Sequence, residues 1–381
     1  MSTVERLGLI KIEGFRSIRK LELNLGQLTV LIGANGSGKS NFIGFFNLMS
    51  FMLAGDLQTY IARKGYATSI LHYGPKRTPF LKIELDFEGP DTISQYGSSL
   101  VFASPDRLIF TEEQVRFHRT GSTGPYRKTL GSGQTETDLL ALANGTQNTT
   151  ARTVARIFVN RLRGLQVYHF HDTSETAYLR TTQDIDRNRF LLSNGGNLTA
   201  FLYRLRERWP AHFNHILATI RLTVPYLKEL ILEPDGLNPS RIQMRWRDRN
   251  TDYEFGPHQF SDGSLRAIAL ITALLQPEEL LPTVIFMDEP ELGLHPSALS
   301  VVADLIKSVS EKRQVVLSTQ SSGLVAKFQP EDVVVVERLE DDQGFGESTF
   351  KRLSREELGT WLDDYDLGAL HEMNVTGGGP R

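Results

Sequence analysis

Between residues 80 and 118 apolar side chains recur at alternate positions. Leu81, Ile83, Leu85 and Phe87 set the pattern, which predicts antiparallel strands with one buried face. Leu28-Thr29-Val30-Leu31-Ile32 and Thr283-Val284-Ile285-Phe286-Met287 are unbroken apolar runs of strand length, as expected of strands covered on both faces. Strands leading up to residue 33 and a helix over 39–54 follow from the same reading. Helical spacing covers 151–163 and 197–231, the second span broken by Pro210 and Pro225. Residues 240–256 return to strand. From residue 260 helix and strand alternate: helix 264–275, strand 283–288, helix 297–312, strand 314–319 and strand 332–337. That order predicts an α/β core with a parallel sheet. A Gly/Ser/Thr-rich zone at 120–150 reads as an exposed loop. No sustained heptads occur, so no long coiled coil is expected.

Composition narrows the class. The 381 residues are 40% hydrophobic, enough for a sizeable core and for two or three domains. Cysteine is absent, which removes disulfides, zinc–thiolate sites and thiol nucleophiles and suits the cytoplasm. The N-terminus lacks a basic-then-apolar signal pattern, and the apolar stretch near 42–54 is short for a membrane span and contains Asn47. No membrane association is expected.

Charge is uneven. The chain carries −3 overall, but residues 151–250 hold sixteen basic and nine acidic residues, a balance of +7 against −10 elsewhere. Fifteen of the sixteen are arginine. Arg152 and Arg156 lie one helical turn apart, as do Arg204 and Arg208. Arg241, Arg245, Arg247 and Arg249 alternate, so one strand would put them on one face. Such a surface suits DNA phosphates or an acidic protein; solvated faces and ordinary salt bridges are the plain alternative.

Three short segments carry candidate chemistry. Gly33-Ala34-Asn35-Gly36-Ser37-Gly38-Lys39-Ser40 fits G-x-x-x-x-G-K-[ST] between a strand and a helix. Its glycines let backbone N–H groups close around nucleotide phosphates, and the helix N-terminus adds positive potential. Lys39 is placed to reach the β- and γ-phosphates and Ser40 to ligate Mg²⁺. Downstream, the strand at 283–288 delivers Asp288 and Glu289. Asp288 suits the metal and Glu289 the general base that polarises water. Between them, Ser261-Asp262-Gly263-Ser264 opens an apolar helix. Ser261 and Gly263 make either a second anion nest or an ordinary N-cap.

In this order the three segments resemble the ATP-binding-cassette ATPases, in the branch that includes RecF, Rad50, the structural-maintenance-of-chromosomes (SMC) heads and the OLD-type ATPases. Ile10-Lys11-Ile12-Glu13-Gly14-Phe15-Arg16-Ser17-Ile18 is similar to that branch's opening strand and Phe-Arg-Ser turn. Asp288-Glu289-Pro290-Glu291-Leu292-Gly293-Leu294-His295-Pro296 is similar to its Walker B and D-loop segment. The tail, with Trp361-Leu362, Tyr365 and Gly377-Gly378-Gly379, is similar to short RecF-like bacterial ATPases of the AAA group. The resemblance implies a P-loop NTPase of ABC-ATPase head type: a mixed N-terminal β lobe plus a parallel-sheet core, with an inserted α-rich segment. Residues 1–95 and 240–381 would form the head and 96–239 the insert. It implies ATP and Mg²⁺ as cofactors. The nucleotide site would comprise Arg16, Gly33, Asn35, Gly36, Ser37, Gly38, Lys39 and Ser40. Ser261 and Gly263 would meet the γ-phosphate held on Lys39 of a second subunit in a homodimer.

Two departures from the family stand out. The signature is Ser261-Asp262-Gly263-Ser264 where a second glycine is common, so Asp262 and Ser264 would alter the grip on the opposite subunit's γ-phosphate, and Gln320 stands where a histidine often follows the strand at 314–319. Gln320 is a catalytic candidate that can orient water but carries no charge, which implies slow hydrolysis. The glutamine loop maps to His171 or Asp172. Three functions compete: an ATP-dependent dimerisation switch in DNA repair or anti-phage defence, a regulatory ATPase controlling a nuclease or toxin in trans, and a transporter's nucleotide-binding subunit. The signature, Gln320 and the Phe-Arg-Ser opening disfavour the last.

Overall fold

The computed structural model describes residues 5–122, 124–147 and 149–379. Its first part is an antiparallel sheet built from the alternation seen in the sequence. The strands are β1 (Arg6–Phe15) and β2 (Ile18–Asn24), then, after β3 (Leu28–Ile32), α1 (Lys39–Met52), α2 (Leu57–Arg63) and α3 (Tyr66–Ile70), the strands β4 (Phe80–Gly89), β5 (Thr92–Ala103), β6 (Arg107–Arg119) and β7 (Tyr126–Thr129). Their order is β2-β1-β4-β5-β6-β7. Leu81, Ile83, Leu85 and Phe87 all point into the core.

The middle of the chain runs through α4 (Asp138–Asn144), α5 (Thr150–Arg163), β8 (Leu165–Tyr168), β9 (Gln183–Asp184), α6 (Leu198–Arg208), α7 (Pro210–Thr223), β10 (Leu227–Ile231), β11 (Arg241–Ile242), β12 (Arg245–Asp248) and β13 (Glu254–Phe255). Pro210 is the first residue of α7, where its missing N–H costs nothing. Three expectations change here. Residues 227–231 are strand β10, because Pro225 ends the helix and Leu227 and Leu230 then face the core. The expected loop at 120–150 contains β7 and α4, the latter capped by Thr137. The expected boundary at 95/96 falls inside β5, and β8 from the expected insert joins the core sheet, since the apolar alternation and the Leu165–Tyr168 run pay no heed to that division.

The remainder is α8 (Asp262–Leu275), β14 (Val284–Asp288), α9 (Pro296–Ser310), β15 (Gln314–Ser318), α10 (Ser322–Val325), β16 (Val333–Glu340), β17 (Gly346–Arg352), α11 (Arg355–Leu358), α12 (Trp361–Asp364) and α13 (Leu367–Glu372). The core sheet has the order β17-β16-β3-β15-β14-β8, parallel except for the β16–β17 hairpin. Alternate residues of its strands feed two separate apolar clusters. Val30, Ile285, Met287 and Leu317 face one side, and Leu31, Phe286, Val316 and Val334 the other. Phe46 of α1 stacks on Phe286 of β14 with ring centroids 3.7 Å apart, so the helix after the glycine loop is fixed on the strand that ends in Asp288. This is the α/β architecture expected of an ABC-type ATPase head, and among the described residues no helix exceeds the fifteen residues of α9.

Candidate functional site

The C-terminal ends of β3, β14 and β15 lie side by side, and the candidate residues leave the sheet there. Gly33 has φ 149°, and a Cβ on it would stand 2.1 Å from the Val336 carbonyl, so only glycine lets the loop start against β16. Gly36 and Gly38 also have positive φ. Asn35 and Gly36 sit exposed at the tip, Ser37 and Lys39 are buried, and Ser40 is exposed. The Lys39 ammonium donates to the Gly33 carbonyl and, at 3.0 Å, to the Ala34 carbonyl. Burial pushes its pKa down, against the opposing pull of Glu289, Asp288 and Glu291. The Ser37 hydroxyl is buried without a protein partner among the described residues.

Sequence reasoning missed the residues that brace this loop. The Ser348 hydroxyl lies 2.6 Å from the Ser37 carbonyl and 2.7 Å from the Ser17 hydroxyl. Asn41 donates to Ser17 at 2.7 Å. Ser348 comes from β17, more than three hundred residues away in sequence, and no local pattern marks it. Arg16, at φ 49°, reaches the Asn41 side chain at 3.5 Å. Its carbonyl is 2.6 Å from His72 Nδ1.

Across the sheet, Ser40 Oγ lies 3.2 Å from Asp288 Oδ1, and Ser318 also donates to that oxygen. The pair is a hard-oxygen set suited to Mg²⁺, which commonly takes one or two protein ligands and completes its shell with phosphate and water. Among the described residues no cluster of three or more His, Cys, Asp or Glu could hold a metal by itself. Positive-φ glycines, the unpartnered Ser37 hydroxyl and the Ser40–Asp288 pair therefore fit a Mg²⁺–nucleotide. Glu289 has φ 45°, its N–H donates to the Ser318 carbonyl at 2.9 Å, and its carboxylate accepts from the Gln320 side chain. Glu291 accepts from Thr319 and from the Gln320 N–H at 3.2 Å, and burial pushes its carboxyl pKa up. Of the two glutamine-loop candidates, His171 reaches this edge, with Nε2 2.8 Å from the Asp288 carbonyl. Asp172 instead caps Ser174.

Ser261 and Gly263 are not brought to this cluster. Among the described residues no hydrogen bond joins them to the loop 33–40 or to Asp288–Gln320. Ser261 is the N-cap of α8, accepting from the Ser264 N–H at 3.1 Å. Gly263 packs on the D-loop backbone, where a Cβ would stand 2.1 Å from the Gly293 carbonyl. Arg266, on α8, bonds to the carbonyls of Phe170, His171 and Leu292.

The arginines expected on one strand face are divided. Arg241 lies on β11 and pairs with Asp184 of β9. Arg245 and Arg247 lie on β12, where Arg245 pairs with Glu254 and Arg247 bridges Glu229 and Glu254. Arg161 and Arg180 are buried on Glu5 and Asp262. Of these acids Glu5, Glu254 and Asp262 lie outside 151–250, so the pairs lower its +7 balance by three, and the salt-bridge alternative describes these arginines.

A family model described as "AAA domain, putative AbiEii toxin, Type IV TA system" matches residues 28–326. The energy-coupling factor transporter ATP-binding protein EcfA2 of Staphylococcus aureus (strain bovine RF122 / ET3-1) is 31% identical over 107 residues, 28% of this chain and 35% of that protein. Its counterpart in Staphylococcus epidermidis (strain RP62A) is 35% identical over 81 residues, 21% of this chain and 27% of that protein. The matched stretch thus spans about a third or less of these relatives. Two SMC head structures share the fold. One, bound to the C-winged helix domain of ScpA, has a TM-score of 0.58 at 16% identity, covering 92% of this chain and 98% of that one. The other, a head with extended coiled coil bound to the C-terminal domain of ScpA from Pyrococcus furiosus, has a TM-score of 0.55 at 14% identity, covering 95% and 99%.

Proposed function

The chain belongs to this AAA-domain family and is a P-loop ATPase of SMC/ABC head type, and on that premise we propose that it binds and hydrolyses ATP and uses the cycle as a dimerisation switch in genome defence or DNA repair. The observation that carries the proposal is the convergence of Lys39, Ser40, Asp288, Glu289 and Gln320 at the ends of three adjacent strands.

The chain's own residues divide the work. Backbone N–H groups of 35–40 cradle the phosphates, and Lys39 swings from the loop carbonyls to the terminal phosphate. Ser40 and Asp288 hold Mg²⁺, which when bound offsets the charge of the phosphate oxygens. Glu289 takes the proton of the attacking water as general base, and Gln320 holds its carboxylate in place. Ser261 and Gly263 have no part in their own subunit's site, so they serve the site of a second copy, and two-fold symmetry gives two equal composite sites. Arg16 supports the loop through Asn41.

A second reading is favoured by the paired arginines: the ATPase controls an effector protein in trans and does not itself hold DNA. The family description, which names a toxin and a type IV toxin–antitoxin system, supports a defence role of either kind. The EcfA2 relatives are transporter subunits, but the match covers about a third of them and no transporter role is carried over. Among the described residues no helix is long and apolar enough to cross a membrane. The cytoplasm, which the cysteine-free composition suits, is the location that goes with this proposal. The test is ATP turnover by the parent chain and by Glu289→Gln, with light-scattering mass in each nucleotide state. Undiminished turnover in Glu289→Gln would remove the assigned base. A mass that never changes with ATP would remove the switch.

A further inference from the structure

We propose that Tyr226 is a positioning residue for Ser261: it sets the direction of a chain of hydroxyls so that the Ser261 proton points out of the subunit toward the partner's nucleotide. The inference rests on the composite-site reading above.

Three hydroxyls stand in line. Tyr226 OH is 2.8 Å from Ser264 Oγ, and Ser264 Oγ is 2.8 Å from Ser261 Oγ. Ser261 Oγ also accepts from the Ser264 N–H at 3.1 Å. Each hydroxyl has one proton and two acceptor lone pairs. The phenol is the most acidic of the three and the strongest donor, so it donates to Ser264. Ser264, its Oγ now an acceptor, donates onward to Ser261. Ser261 then accepts twice, from the Ser264 O–H and the Ser264 N–H. Its own proton has no partner left in the chain and is free for an oxyanion beyond the start of α8. Without the phenol, Ser264 can accept the Ser261 proton instead, and the signature loses its donor.

Tyr226 is well fixed for this task. Its ring lies 5.4 Å from that of Trp246, which stacks on Phe260 at 4.7 Å, the residue before Ser261. Arg180, buried, also braces this turn, through the carbonyls of Pro257 and Phe260 and the Asp262 carboxylate. Tyr226 and Arg180 both come from the arginine-rich middle of the chain. The Ser264 hydroxyl is the link that joins the other two.

The experiment is a double-mutant cycle in the full chain carrying Glu289→Gln. Tyr226→Phe keeps the ring and removes the hydroxyl; Ser264→Ala removes the next link. Dimerisation is measured by light scattering against protein concentration at saturating Mg²⁺–ATP. Monomer affinity for a fluorescent ATP analogue serves as the readout that a merely structural defect would also move. Tyr226→Phe is expected to weaken ATP-dependent dimerisation about a hundredfold, about tenfold for the hydrogen bond to a charged group lost at each of the two composite sites. Ser264→Ala removes the acceptor that would capture the Ser261 proton, so alone it is expected to dimerise nearly as its parent, and in the double variant to restore dimerisation. Monomer nucleotide affinity is expected to hold throughout. Dimerisation of Tyr226→Phe equal to its parent overturns the proposal, as does a double variant as weak as Tyr226→Phe. If the Glu289→Gln parent itself shows no ATP-dependent dimer, the composite-site reading falls and the relay with it, a result distinct from failure of Tyr226 alone.

Discussion

The Gln320 side chain donates to the Glu289 carboxylate, and the Glu289 backbone is tied in turn to the Ser318 carbonyl at 2.9 Å. Glu289 adopts φ 45°, a conformation costly for a residue with a Cβ. Two bonds therefore hold a strained residue where its carboxylate meets the Lys39 side of the sheet. Glu289→Gln is expected to keep ATP affinity and lower turnover by about 10²–10⁴-fold, the usual loss of a general base. Gln320→Ala frees the carboxylate without removing it, so kcat is expected to fall about tenfold with KM nearly unchanged. Steady-state phosphate release measures both. A larger loss in Gln320→Ala than in Glu289→Gln would reverse the assigned roles.

The C-terminal tail rests on the first glycine of the loop. A Cβ on Gly378 would lie 3.1 Å from Gly33 Cα and 2.9 Å from the Val335 side chain, and the Gly378 N–H is held by Glu337 at 3.0 Å. Gly378→Val is expected to push the loop aside and weaken nucleotide binding several-fold. Gly344 has the same φ of 78° but nothing within 4 Å. Gly344→Val thus reproduces the backbone strain away from the site and is expected to leave binding unchanged. Titration with a fluorescent ATP analogue decides; equal affinities in the two variants would separate the tail from the loop's function.

What the sequence made legible is what short-range chemistry imposes. Residues 33–40 are readable because glycine conformations and one lysine must stand together in sequence. Asp288-Glu289 is readable because a buried strand leaves few apolar alternatives before two acids. The alternation from Leu81 to Phe87 marks the sheet for the same reason. Ser348 against Ser37, Tyr226 against Ser264 and Gly378 against Gly33 are contacts between distant segments and leave no local trace. The arginines show the opposite error. Their count is visible in sequence, but acids from outside the counted segment, Glu5, Asp262 and Glu254, fold onto Arg161, Arg180 and Arg247, so the +7 balance overstates the free charge.

Burial holds His72 neutral. It is fully buried behind the Arg16 turn, with its pKa lowered by desolvation despite the Arg16 carbonyl. A depressed folded pKa gives stability that is present above the unfolded value of 6.5 and is lost as pH falls through 6.5 toward the folded value. The limiting slope is about 1.4 kcal/mol per pH unit for one proton. Urea midpoints measured from pH 8 to pH 5 are expected to fall below about pH 6.5. His72→Gln, which cannot titrate, is expected to be flatter by up to one proton's worth. Parallel curves for the two proteins would show that His72 does not titrate differently on folding.

Arg247 between Glu229 and Glu254 bears on whether the middle segment touches DNA. If these arginines serve the fold, Arg241→Glu, Arg245→Glu and Arg247→Glu together set acid against acid on β12 and its neighbours. The triple variant is then expected to melt at lower temperature, with no change in salt-dependent DNA affinity. Adding Glu254→Arg to the triple variant sets opposite charges between position 254 and positions 245 and 247 and is expected to recover part of that loss, whereas a DNA-binding role gives no reason for recovery. Binding of double-stranded DNA at about 50 and 200 mM salt supplies the contrast, because a phosphate-binding surface loses affinity steeply over that range. Tight, salt-sensitive binding by the parent that disappears in the triple variant would mean that the ion pairs open for DNA. Absence of DNA binding in the parent, with an effector lost from pull-downs of the triple variant, would place the output of the ATPase on a protein partner.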